Sequence, residues 1–105
     1  MKLKANVYMT PAFGKSLVEV MNIKRLPVEV KFSLARLKKT LAEEIQVLRD
    51  STEGMEGTEL MGFLKSHETE FDFKPFDAKL IQDLVTANDL FNLEPLLEVK
   101  DDRAS

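Results

Sequence analysis

Apolar and polar positions alternate at the start of the chain. Leu3, Ala5, Val7 and Met9 fall on one side and Lys2, Lys4, Asn6 and Tyr8 on the other. A period of two predicts a half-buried strand over 2–9. Thr10-Pro11 then supplies a helix start, with Thr as the cap and Pro at the first helical position. A helix over 11–22 lines up Phe13, Leu17, Val20 and Met21. After Pro27 comes the strongest periodic stretch, with Val30, Leu34, Leu37, Leu41, Ile45 and Leu48 at steps of three and four. It predicts an amphipathic helix over 27–50, with Phe32 and Val47 off its apolar stripe and available to a second element or a partner.

The rest of the chain is broken into shorter units. Residues 50–57 are polar, hold two of the four glycines and read as a loop. A short helix is expected over 58–65 with Leu60, Met61 and Leu64 apolar. Alternation returns over 68–73, where Thr69, Phe71 and Phe73 oppose Glu68, Glu70 and Asp72, and predicts a second strand that ends before Pro75. Asp77 is placed to cap a helix carrying Leu80, Ile81, Leu84 and Val85. Asn88 or Asp89 is placed to start a last turn through Leu90, Phe91 and Leu93, with Leu96, Leu97 and Val99 packing beyond Pro95. The fold class that follows is α+β, mainly helical: a long central helix, several shorter ones, and two short strands. The strands either pair with each other or stand as open edges.

Length and composition fit a single domain over 1–105, with 98–105 a frayed charged tail, because two cores in 105 residues would each be marginal. Hydrophobic residues at 44% and charged residues at 31% are globular proportions, which sets disorder aside. The longest apolar run, Val7-Tyr8-Met9, is far short of a membrane span or a signal-peptide core, so a cytoplasmic protein is expected. The absence of cysteine removes disulfides, thiolate metal sites and cysteine nucleophiles together.

Net charge changes the picture more than its total of −3 implies. Residues 1–50 carry ten Lys and Arg against five Asp and Glu, whereas residues 51–105 carry five against thirteen. Either the halves attract each other within the fold, or the basic half is kept for an acidic partner. Its cluster is Lys24, Arg25, Lys31, Arg36, Lys38 and Lys39; Lys31, Lys38 and Arg49 share one edge of the long helix, with Lys39 nearby and Arg36 further round. Together with Phe32 and Val47, these residues make the candidate partner-binding set: Lys31, Phe32, Arg36, Lys38, Lys39, Val47 and Arg49.

Catalytic chemistry finds little support. His67 is the only histidine, and Glu68, Glu70 and Asp72 on one side of a strand are better read as a solvated face than as an acid pair or metal shell. The loop from Asp50 lacks the alternating carboxylates of a calcium loop. Gly14-Lys15-Ser16 ends like a phosphate-binding loop, but Met9 stands where the required upstream glycine belongs. No cofactor or metal is expected. The chain reads as a non-enzymatic protein–protein interaction module with a protein partner or a second copy of itself. The alternative is nucleic-acid binding through the basic helix edge, against which stand the acidic total, Glu43 and Glu44, and the lack of aromatic residues along the row.

Leu26 to Leu37, together with Glu70-Phe71-Asp72-Phe73-Lys74-Pro75 and Asp89 to Leu97, resembles a family of small, largely uncharacterised proteins of tailed bacteriophages and prophages. The resemblance rests on hydrophobic spacing and prolines. It implies an accessory protein acting in assembly or on a host factor, in the host cytoplasm or in the virion, and carries over no functional residues. The glycine-punctuated loop at 54–57 departs from the pattern.

Overall fold

The computed structural model describes residues 1–98. The expected tail therefore lies, from residue 99 on, outside the described residues, and so does Val99. The longest element forms where the periodicity is strongest. Helix α3, Val28–Ser51, begins directly after Pro27, whose carbonyl accepts the first helical bond from the Lys31 amide at 3.0 Å. Leu34, Leu37, Leu41 and Leu48 are buried along it, and Val30 and Ile45 are half-buried beside them. Its last turn is closed by hydroxyls that donate back to carbonyls, Ser51 to Val47 at 2.8 Å and Thr52 to Leu48 at 2.7 Å. Gly54 at φ +92° and Gly57 at φ +58° then turn the chain through conformations that side-chain-bearing residues rarely adopt.

Helix α2, Pro11–Met21, starts as Thr10-Pro11 predicts, although the Thr10 hydroxyl donates to the Asn6 carbonyl instead of capping the helix. It buries Phe13, Ser16, Leu17 and Val20 against α3 and against α5, Ala87–Asn92. Helix α4, Gly57–Ser66, lies over α1, the single helical turn Ala5–Tyr8, and buries no residue fully. Leu60 and Leu64 are half-buried with Phe63, while Met61 faces solvent.

The two expected strands do pair, antiparallel, as β1 (Lys2–Lys4) and β2 (Glu68–Glu70). The register sets Lys2 opposite Glu70 and Lys4 opposite Glu68, so part of the basic N-terminal half does meet the acidic C-terminal half. A second sheet, a short parallel pair of β3 (Phe76–Asp77) with β4 (Leu97–Glu98), has no counterpart in the sequence reading.

Both strands are shorter than their alternation predicts. After Lys4 the chain coils into α1, with the Ala5 amide still donating to the His67 carbonyl at 2.9 Å. Tyr8, assigned to the solvent side of a strand, is instead buried, its ring edge-on to Phe71 at 5.5 Å. That aromatic contact and the buried Ala5 need helical spacing, and together they override a local period of two. β2 ends at Glu70 because β1 offers three residues to pair. Phe71 and Phe73 remain buried, with the Phe73 amide turned back onto the Phe71 carbonyl at 2.9 Å.

The helix expected after Asp77 reduces to one 3-10 turn, Ala78–Leu80, capped by the Asp77 carboxylate on the Lys79 amide at 2.9 Å. The segment is held at one end by β3–β4 and in its middle by buried Ile81, which leaves Leu80 and Leu84 outside. Thr86, not Asn88 or Asp89, caps α5 by accepting the Asp89 amide at 3.1 Å. Phe91, on that last turn, is 75% exposed. Pro95 sits in a second 3-10 turn, Glu94–Leu96, that seats buried Leu96. The core is one contiguous cluster, with Phe71, Leu34, Ile81, Leu93, Leu96 and Val20 among its most enclosed side chains.

Candidate interaction surface

Helix α3 turns a full face outward for its length of about 36 Å. The seven candidate residues lie on it in two rows. Lys31, Lys38 and Arg49 run along one flank; Phe32, Arg36, Lys39 and Val47 run along a direction about 130° away. Lys31 is half-buried and donates to the Lys24 carbonyl at 3.4 Å, so its ammonium is partly committed to the turn between α2 and α3. The second row is fully outward. Phe32 is 60% exposed and Val47 is 56% exposed, and the Arg36 guanidinium sits 4.9 Å above the Phe32 ring, a cation–π contact that stiffens both side chains.

Among the described residues, no ion pair involves Lys24, Arg25, Lys31, Arg36, Lys38, Lys39 or Arg49. The two halves of the chain face each other at the β1–β2 ladder, where the N-terminal ammonium lies 3.5 Å from Glu70, and all the α3 cations but half-buried Lys31 are exposed. Beside Arg36, Lys39, Thr40 and Glu43 an open groove of 440 Å³ separates α3 from Phe71 and Asp72.

Two polar clusters form where the sequence offered no local signal. The first joins α1, α3 and β2. His67, at the end of α4, stacks on Phe63 at 5.3 Å, and its Nε2 lies 3.5 Å from Glu44 and 3.3 Å from Thr69 Oγ1. Tyr8 shares a hydrogen bond with Thr69 at 3.1 Å. Burial pushes the Tyr8 phenol above its ordinary pKa, nearby Glu44 adds to the rise, and the Thr69 bond opposes it. These contacts place His67 in a packed junction, not on the exposed loop or strand edge that its sequence context favours. Glu68, Glu70 and Asp72 are exposed, as a solvated face requires.

The second cluster ties α2 to α5. The buried Ser16 hydroxyl donates to Asp89 Oδ1 at 2.7 Å and accepts from Asn92 Nδ2 at 3.1 Å. The serine of the apparent phosphate-loop ending is therefore a helix–helix fastener, 2% exposed. Glu19 stands at the rim, and its carboxyl and that of Asp89 share a hydrogen bond. The bond raises the Glu19 pKa and lowers that of Asp89, with Ser16 and Thr86 also favouring the Asp89 carboxylate. Among the described residues no group of three or more His, Cys, Asp or Glu is placed to hold a metal ion, and no helix is long and apolar enough to cross a membrane.

Compared with family models, with curated proteins and with solved structures, the chain matches none of them.

Proposed function

We propose that this chain is a non-enzymatic protein–protein interaction module that works through the outward face of α3. One observation carries the reading: on the helix that supplies the spine of the core, Phe32 and Val47 stand in solvent beside cations that no carboxylate among the described residues pairs. Scattered exposed apolar residues are ordinary on a protein surface. An aromatic ring with a guanidinium over it, one helix face away from the core, is the pairing that recurs in the centres of interfaces. The resemblance to small tailed-phage proteins makes an accessory role in assembly, or against a host factor, the setting that fits.

The test is side-chain footprinting of the purified chain and of the chain in extract from its source cells. Phe32 and Val47 are expected to lose reactivity in the complex, with Phe91 as an internal reference. Phe32→Ser should abolish the protection of Val47 without lowering the melting temperature, since the exposed ring lies outside the core. Equal reactivity of both residues in both samples would count against the reading.

The flank of Lys31, Lys38 and Arg49, which joins no ion pair among the described residues, also supports a second reading, contact with nucleic acid. That reading predicts binding to duplex or single-stranded probes that falls steeply with salt as counterions are released. Absence of binding at low salt would exclude it.

A further inference from the structure

The outward row on α3 is complementary to itself. At about 100° per residue, Phe32, Arg36, Lys39, Thr40, Glu43 and Val47 fall within an arc of about 100° centred between Arg36 and Glu43. The row is symmetric about the point between Lys39 and Thr40. Reversing the helix direction there exchanges Phe32 with Val47, Arg36 with Glu43, and Lys39 with Thr40. Charge along the helix follows the same symmetry: residues 28–39 hold four cations and one anion, and residues 40–51 hold one cation and three anions.

We infer that a second copy of this chain occupies the face, its α3 antiparallel to the first across a two-fold axis between Lys39 and Thr40. The inference rests on reading this face as an interaction surface, and it names the partner. In that arrangement each Phe32 ring lies against Val47 of the other copy. Each Arg36 meets Glu43 of the other copy, and Lys39 stands one helical turn along within reach of the same carboxylate. This is an isologous contact, the commonest way for a protein to form a closed dimer.

A parallel pairing would instead set the basic half on the basic half, and the charges select against it. Two like-charge contacts remain: Glu29 opposite Asp50 of the other copy at the exposed end of the contact, and Lys39 beside its symmetry mate at the axis, where the side chains are exposed and such pairs carry little weight. Arg36 and Glu43 are both exposed and neither joins an ion pair among the described residues; within one copy the Arg36 guanidinium rests 4.9 Å above the Phe32 ring and its charge is left for a carboxylate of the other copy. The groove beside them leaves the approach open. With two large apolar side chains per copy, the dimer belongs to the weak class of interfaces, with dissociation expected in roughly the micromolar range.

The experiment uses charge exchange. Arg36→Glu alone gives each copy two acids in the central pair, and Glu43→Arg alone gives it two bases. Sedimentation of the full chain at low salt should show a concentration-dependent dimer for the wild type. Each single variant should weaken it by at least about tenfold, the usual scale for like-charge juxtaposition at a contact. An equimolar mixture of the two variants should recover the dimer, and so should the double variant alone.

The lack of cysteine allows a geometric check. Lys39→Cys, at the two-fold axis, should oxidise to a disulfide-linked dimer. Val47→Cys should not, because its symmetry mate lies about 22 Å away along the helix. A wild type that stays monomeric, single variants that associate like the wild type, or a mixture that stays monomeric would each overturn the inference. If that happens while Phe32 and Val47 are protected in a complex with a different chain, the face is an interface but a second copy is not its occupant. If they are protected nowhere, the reading of the face fails as well.

Discussion

Asp89 and Glu19 show how one residue's environment is made by another far away in sequence. The Asp89 carboxylate is buried and receives the Ser16 hydroxyl, while Glu19 shares a hydrogen bond with it from the rim. Asp89 has its pKa lowered, so its contribution to stability is present above the ordinary aspartate pKa and is lost as pH falls through the lowered value. Glu19 has its pKa raised, so its contribution is present below the ordinary glutamate pKa and is lost as pH rises through the raised value. Between those limits the pair holds one proton and is at its best. As pH rises through the raised Glu19 value the shared proton is lost and two carboxylates face each other. Glu19→Gln keeps a donor toward Asp89 and removes the charge. It should raise the melting temperature above the raised Glu19 value, and the advantage should vanish as pH falls below that value. Thermal melts of both proteins at several pH values check this, and a constant offset would show that the pair is not coupled.

At the scale of elements, α3 serves the core with one face and leaves the other to solvent. Leu37 and Leu41 sit on the inward stripe, both nearly inaccessible. Leu37→Ala or Leu41→Ala should cost about 2–5 kcal/mol, the range for large-to-small changes that leave a cavity. Set against the ~5–15 kcal/mol that holds a typical domain together, the change is large enough to unfold much of the population. Denaturant titration measures it, and a variant that unfolds like the parent would mean the stripe is not the core. The stripe was legible because six apolar residues at steps of three and four leave no alternative to a helix. Over 2–9, by contrast, strand spacing and helix spacing both account for some of the apolar residues, and only the position of Phe71 decides between them.

For the whole molecule, the distribution of charge is a division of labour. Lys2 and Lys4 face Glu70 and Glu68 across the antiparallel ladder, while the α3 cations face solvent without ion pairs among the described residues. Reversing Lys31 and Lys38 to Glu should therefore leave the melting temperature nearly unchanged, within the ~1 kcal/mol that an exposed charge can contribute. Lys31 gives up one long hydrogen bond to the Lys24 carbonyl and no carboxylate partner. A large loss of stability that salt relieves would instead show the two halves of the chain attracting each other through this flank.

The sequence by itself determined the mainly helical α+β class, the position of α2 and α3, a loop within 50–57 and the place of Phe32 and Val47 off the apolar stripe. Each of these depends on local periodicity or on the backbone chemistry of proline and glycine, which act within a few residues. Tertiary structure alone decided the rest. Ser16 meets Asp89 across 73 positions and Tyr8 meets Thr69 across 61, distances over which no pattern in one chain carries information. The same holds for the pairing of β3 with β4, two residues long and too short to show a period. It also holds for the 3.4 Å bond that ties Lys31 to the Lys24 carbonyl and so distinguishes it from the other α3 cations.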